Sequence, residues 1–158
     1  NMDSQVPNHV VFQGLQDGLI KGYKNLNNIR KEVTFANSRF DIYFEDGDKK
    51  GFIEVKGVTL EEDRVAMFPD APTERGTKHV LEMIEAVKEG YRGCIFFLIQ
   101  MKGPEVFKLN WKMDRDFSKA IKLASENGVD ILTYDSIVTN DTICINRQIP
   151  IDLTLSLL

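Results

Sequence analysis

Ser38-Arg39-Phe40-Asp41-Ile42-Tyr43-Phe44 and Gly51-Phe52-Ile53-Glu54-Val55-Lys56-Gly57-Val58 are the two strand-like segments that decide how this chain is read. Strand side chains alternate between faces, so Arg39, Asp41 and Tyr43 are expected on one side and Phe40, Ile42 and Phe44 on the other. Glu54 and Lys56 project together by the same rule. The polar link Glu45-Asp46-Gly47-Asp48-Lys49-Lys50 suits a hairpin turn. Pairing the strands brings Asp41, Glu54 and Lys56 to one spot.

Two carboxylates and an ammonium make a candidate centre for metal-dependent phosphodiester hydrolysis. Carboxylates hold Mg²⁺ or Mn²⁺, ions that keep waters and coordinate phosphate oxygens. Asp41 and Glu54 are the candidate ligands, with the Val55 backbone carbonyl as a third. Lys56 would position the water or offset developing negative charge. The bland reading stands beside this one. Acid-x-lysine triplets arise by chance, Asp48-Lys49-Lys50 is another, and alternating charge is also what the wet face of a strand looks like.

Composition sets the frame. A length of 158 residues fits one domain with a real core. The content, 42% hydrophobic and 28% charged, is that of a soluble globular protein. A net charge of -4 argues against a strongly basic nucleic-acid coat protein and leaves room for a local basic groove. Cys94 and Cys144 both sit in apolar contexts and read as buried free thiols in a reducing, cytoplasmic compartment. No cysteine-histidine spacing points to zinc, and no apolar run reaches the roughly 18 residues of a membrane span. Residues 1–6 are expected to be a disordered start or a cloning scar, and 7–158 the domain.

Along the chain, Pro7 to Gly18 reads as a helix and Asn25 to Asn28 as a break. Strands are expected near 29–36, 39–45 and 50–58, followed by a polar loop from Glu61 to Thr73. Arg75 to Glu89 reads as an amphipathic helix. Cys94-Ile95-Phe96-Phe97-Leu98-Ile99, within Gly93 to Met101, suits a central strand buried on both faces. Asp114 is placed to cap a helix over 115–126, and short strands follow near 130–134 and 142–149. This order predicts an α/β fold, a mixed β-sheet flanked by α-helices.

Phe68-Pro69-Asp70-Ala71-Pro72-Thr73-Glu74-Arg75-Gly76-Thr77-Lys78-His79 joins the third strand to the next helix, near the strand end that carries Glu54 and Lys56. Arg75, Lys78 and His79 are candidate phosphate contacts at a cleft rim. The same residues also read as a turn and a helix start capped by Thr73. Arg39, Lys21 and Lys24 would extend a basic track or be ordinary surface cations. Phe12, Phe68, Trp111 and Tyr134 would stack bases or, by default, pack in the core.

Three stretches together carry a resemblance: Asn37-Ser38-Arg39-Phe40-Asp41, Glu54-Val55-Lys56-Gly57-Val58-Thr59-Leu60, and the Phe68–His79 segment. They resemble the sugar fermentation stimulation protein A family, from about Pro7 to the C-terminus. The resemblance implies a restriction-endonuclease-like PD-(D/E)xK nuclease fold. Asp41 fills the aspartate position, with Phe40 where the name has proline, and Glu54 and Lys56 fill the (D/E)xK positions. It also implies a Mg²⁺- or Mn²⁺-dependent nuclease acting on DNA or RNA. Arg39, Arg75, Lys78 and His79 are the expected substrate contacts, nucleic acid is the expected partner, and a homo-oligomer is a further expectation. Relatives usually carry an N-terminal OB-fold-like domain, so these residues are expected to be a fragment or a shortened member. The first helix, Asn8-His9-Val10-Val11-Phe12-Gln13, lacks the glutamate that many such nucleases place there, and Glu32 is a substitute candidate. The rival expectations are a non-enzymatic DNA-binding module that influences sugar-utilisation genes, and a phosphodiesterase acting on a nucleotide.

Overall fold

The structure, a computed structural model, describes residues 5–156. Strands β1 (Asn27–Phe35), β2 (Ser38–Asp46) and β3 (Lys49–Val58) form an antiparallel meander. The β2–β3 hairpin closes through Gly47-Asp48, between the pair Asp46 and Lys49. Gly47 has φ 62°, a left-handed conformation that glycine takes without a Cβ clash. Helix α2 (Glu74–Lys88) then crosses to β6 (Arg92–Ile99), parallel to β3, and α3 (Arg115–Glu126) crosses to β8 (Asp130–Val138), parallel to β6. Strand β9 (Ile143–Gln148) closes the six-stranded sheet, ordered β1-β2-β3-β6-β8-β9. Four short strands, β4 (Leu60–Glu62), β5 (Val65–Phe68), β7 (Val106–Leu109) and β10 (Ile151–Asp152), make a second sheet ordered β10-β7-β5-β4.

Two apolar layers cover the main sheet. On one face Val80, Met83, Ile84, Phe117 and Ile121 of α2 and α3 pack on Phe52, Ile95 and Phe97. On the other, Val10, Val11 and Leu15 of α1 (Gln5–Gln16) pack on Ile42, Phe44, Ile53 and Phe96. Strand β6 alternates between the two layers and is buried on both faces, as its apolar run predicts. The mixed sheet flanked by helices is thus the expected one. The region read as a polar loop from Glu61 to Thr73 departs from expectation, because it holds most of β4 and all of β5. Each is too short to show a periodic pattern and is held by its partners in the second sheet. Helix α1 opens at Gln5, so Gln5 and Val6, expected to be irregular, are helical; residues 1–4 of that expectation lie outside the described residues. Cys94 is buried as expected, whereas Cys144 is exposed, on the outward face of the edge strand β9. Among the described residues no helix is long and apolar enough to cross a membrane.

One departure from regular strand geometry positions the site. Phe40, Ile42 and Phe44 do not share a face. Phe40 and Tyr43 both pack on Phe52, at ring-centroid distances of 5.1 and 5.8 Å, while Ile42 and Phe44 pack under α1. The strand changes phase at Asp41. Its neighbour changes phase at the facing residue: Lys31 pairs with Ile42 and Val33 with Phe40, which leaves Glu32 opposite Asp41. Glu32 has φ 56°, a strained value for a non-glycine residue inside a strand. Such irregularities re-aim side chains, commonly beside functional sites. The β2–β3 ladder stops at the pair Ile42 and Ile53, and beyond it the Val55 N–H donates to Asp41 Oδ2 at 2.8 Å.

The starts of α2 and α3 are tied together by one carboxylate. Asp114 Oδ1 accepts from Phe117 N at 3.0 Å, capping α3, and Oδ2 accepts from Thr73 N at 2.7 Å. Thr73 in turn caps α2, its hydroxyl accepting from Gly76 N at 3.0 Å. Asp114→Ala is expected to lower stability by about 1–2 kcal/mol. The measurement is urea unfolding: the midpoint should fall with an unchanged slope, and an unmoved midpoint would contradict the double-cap reading.

Candidate active site

Glu54 lies near the middle of β3 on the α2 side of the sheet and is 3% exposed. A buried carboxylate needs partners. Its Oε2 has two: His79 Nδ1 of α2 at 2.7 Å and Lys56 Nζ at 3.3 Å. Its Oε1 is buried and has none. Asp41 approaches from β2 into the same cleft, where the charge on Glu54 bears on its carboxyl. Two groups hold it there, Val55 N–H on Oδ2 and Asn8 Nδ2 of α1 on Oδ1 at 3.0 Å. Asp41, Glu54 and Lys56 share the floor of an open cleft of about 730 Å³. The N-terminal turn of α1 forms one wall, and Phe68, Asp70 and Arg75 form the other.

The two acids are electrostatically unequal. Burial pushes the Asp41 carboxyl up, the charge on Glu54 adds to this, and together they outweigh the Val55 hydrogen bond, taking it from 3.8 to about 6. Burial also pushes Glu54 up, but the hydrogen bond from His79 and the charge of Lys56 outweigh it and hold the carboxyl below its ordinary value. Glu54 thus stays an anion while Asp41 gives way to it. Oxygen donors alone, with one carboxylate oxygen left unpartnered in a buried position, suit a hard divalent cation that keeps part of its water shell.

The expected site residues separate into three groups. Asp41, Glu54, Val55 and Lys56 meet on the floor, and Arg39 and Arg75 line the walls. Val55 contributes its N–H to Asp41. Arg39 is ion-paired at 3.4 Å with Glu32, which also lines the cleft. Lys78 stands outside the lining and donates to Asn37 O at 3.3 Å, because its place on α2 turns it past the rim. His79, expected as a rim contact, lines the cleft but is only 7% exposed, and its Nδ1 binds Glu54 Oε2. Trp111 and Tyr134 are core residues, whereas Phe68 is half-buried and lines the cleft. Lys21 and Lys24 are exposed and away from the cleft.

Sequence reasoning missed Asn8 and Gln100. Asn8 occupies the helix that was noted only for lacking a glutamate, and its amide reaches Asp41 from there. Gln100 follows β6 and lines the cleft; its Nε2 is buried without a partner. Gly57 makes room for it, since a Cβ at 57 would lie 3.3 Å from Nε2 and 2.9 Å from Pro7 Cγ. No pattern in a single sequence marks either amide.

Known proteins share this arrangement of elements. The chain is similar to the solved structure of Pyrococcus furiosus SfsA, determined in complex with Ca²⁺, with a TM-score of 0.88 and 25% identity over 95% of this chain and 65% of that one. The fold is accordingly restriction-endonuclease-like. A family model described as the sugar fermentation stimulation protein RE domain matches residues 5–142. The sugar fermentation stimulation protein homolog of Alkaliphilus oremlandii is 57% identical over 156 residues, which is 96% of this chain and 66% of the relative. The homolog of Clostridium botulinum strain Langeland is 47% identical over 154 residues, 97% of this chain and 67% of the relative. The chain belongs to the sugar fermentation stimulation protein family. It spans about two thirds of the length of these relatives.

The raised Asp41 value gives a pH signature without metal. A carboxyl whose folded value is raised binds its proton more tightly in the folded state. Its contribution to stability is present below about pH 4 and lost as pH rises through about 6. In EDTA, the stability of the wild type relative to Asp41→Asn should therefore fall between pH 4 and 6, by about 2–3 kcal/mol at most. A difference that is flat or rises with pH would contradict the arrangement.

Proposed function

We propose that the chain is a divalent-cation-dependent nuclease domain that hydrolyses phosphodiester bonds of nucleic acid, DNA first and RNA as the alternative substrate. One observation carries the reading: the Asp41 and Glu54 carboxylates meet in one open cleft beside Lys56, with an unpartnered Glu54 oxygen. Like charges that close need a shared cation or a proton. The relative solved with Ca²⁺ supports a hard divalent ion, and Mg²⁺ or Mn²⁺ are the ions we assign to this chain. Asp41 and Glu54 would hold it. The acid and acid-x-lysine positions match the PD-(D/E)xK pattern residue by residue.

When bound, such an ion polarises a phosphate oxygen and lowers the pKa of a coordinated water. The rest falls to the protein's own groups. Glu54 and Asp41 fix the anionic end of the cleft. Lys56 Nζ, only 18% exposed at the side chain, is placed to orient the attacking water and to offset charge that builds on the phosphate. Arg39 and Arg75 face the same space and bind flanking phosphates. Phe68 offers a ring face to an unstacked base. The attachments of Glu54 and Asp41 to His79, Asn8 and the β3 backbone keep the acids from swinging out when substrate arrives. We place this activity in a reducing, cytoplasmic setting, consistent with two free thiols.

The test is cleavage of labelled single- and double-stranded DNA and RNA with Mg²⁺, Mn²⁺ or EDTA. Cleavage should require metal, and Asp41→Asn, Glu54→Gln and Lys56→Ala should each lower it by about 100-fold or more while the variants remain folded. Salt-sensitive DNA binding that survives EDTA, with no cleavage by the wild type, would instead favour a binding module.

A further inference from the structure

His79 is a largely buried imidazole in the cleft lining whose Nδ1 is committed to Glu54. Its Nδ1 lies 2.7 Å from Glu54 Oε2, and both side chains are almost fully enclosed. An ionised carboxylate only accepts hydrogen bonds, so Nδ1 must carry the proton it donates. The ring is held on its other side by Phe40, edge-on, with centroids 6.4 Å apart and planes at 77°. The helix that bears it is pinned at its start by Thr73 and by Asp114. The histidine therefore joins a rigid helix to one oxygen of one strand residue.

Glutamate has three side-chain torsions, and a carboxylate with one tether can rotate about it. Glu54 has two tethers on the same oxygen, one from Lys56 on its own strand and one from His79 on α2. Both groups donate, so both engage Oε2 and hold the carboxylate by that oxygen. Oε1 is then the oxygen with its lone pairs uncommitted. Lys56 alone is a poorer anchor. It sits two residues along the same strand, at a longer 3.3 Å, and its ammonium is assigned to water and phosphate. The arrangement parallels the way buried partners orient metal-binding side chains from behind.

We infer that His79 is a positioning residue, whose Nδ1–H clamps Glu54 Oε2 so that Oε1 is presented as the cation-binding oxygen. This inference rests on the metal-dependent reading above and assigns His79 a positioning role toward Glu54. It implies that a side chain with a donor nitrogen near Nδ1 will serve and one with the nitrogen near Nε2 will not. Asparagine supplies the first and glutamine the second, with similar polarity and less bulk than imidazole in both cases.

The experiment is Mn²⁺ binding to the purified protein by calorimetry, for wild type, His79→Asn and His79→Gln, with folding checked by circular dichroism and urea midpoints. His79→Gln should weaken Mn²⁺ binding by about tenfold or more, and His79→Asn should recover most of that loss. Wild-type affinity in His79→Gln would overturn the inference. So would equal losses in the two variants at matched folded fractions, since that would trace the effect to packing. No Mn²⁺ binding by the wild type would overturn the metal-dependent reading itself, a result distinct from either.

Discussion

A carboxylate placed inside a protein must be surrounded by donors or give up its charge, and Glu54 is where this fold meets that constraint. Its side chain leaves the sheet among aromatic residues, where an isolated anion would be costly. Donors arrive from two directions. Lys56 follows from strand alternation, because residues two apart share a face. His79 requires α2 to lie across the sheet at one height, which depends on where that helix begins. Thr73 and Asp114 set that start, and Asp114 also starts α3. The electrostatics of one glutamate thus connect β3, α2 and α3. The pair it forms with Asp41 leaves an excess of negative charge that these donors do not cancel.

Asp41 reaches this spot only because two strands abandon regular alternation together. With regular geometry, the residue after Phe40 would point toward the α1 layer, where Ile42 and Phe44 now pack. The phase change shared by Asp41 and Glu32 turns the carboxylate toward β3 instead. There the Val55 N–H, no longer engaged in a ladder with β2, becomes its hydrogen-bond donor. Of the other non-glycine residues with positive φ, Asn25 precedes β1, Ala36, Asp63 and Arg64 lie between strands, and Asn28 is of a type that tolerates the conformation. Glu32 lies inside a strand and lines the cleft. Strain kept at such a position fits a functional constraint better than a folding one.

Much of this was legible in the sequence, for physical reasons that can be named. The main-sheet strands and α2 and α3 announce themselves through apolar runs, helical periodicity and caps; the Asp114 cap falls on the residue expected. Asp41, Glu54 and Lys56 stand out because charged residues inside apolar strands conflict with their surroundings. The short strands β4, β5, β7 and β10 were not legible, because two to four residues carry no period and their pairing is non-local. The phase change at Asp41 was not legible either. Alternation is the default, and a departure from it is decided by how β1 and β2 pack together. His79 was visible as a cleft residue, but its bond to Glu54 was not legible, since only the crossing of α2 over β3 brings the two together.

The same contrast explains why the cleft combines a rigid floor with a more adaptable rim. Floor residues are fixed by buried bonds from separate elements: Asp41 by α1 and β3, Glu54 by α2 and β3. Rim cations are held loosely. Arg39 pairs with Glu32 through two largely exposed side chains, an interaction worth at most about 1 kcal/mol in water. A phosphate entering the cleft can compete for that guanidinium with a bidentate, charge-assisted contact. The chemistry proposed for the floor needs positions held to a fraction of an ångström, and the contacts proposed for the rim need side chains that can follow a flexible polymer. The two halves of the cleft are built from different kinds of interaction, and each kind suits the task assigned to it.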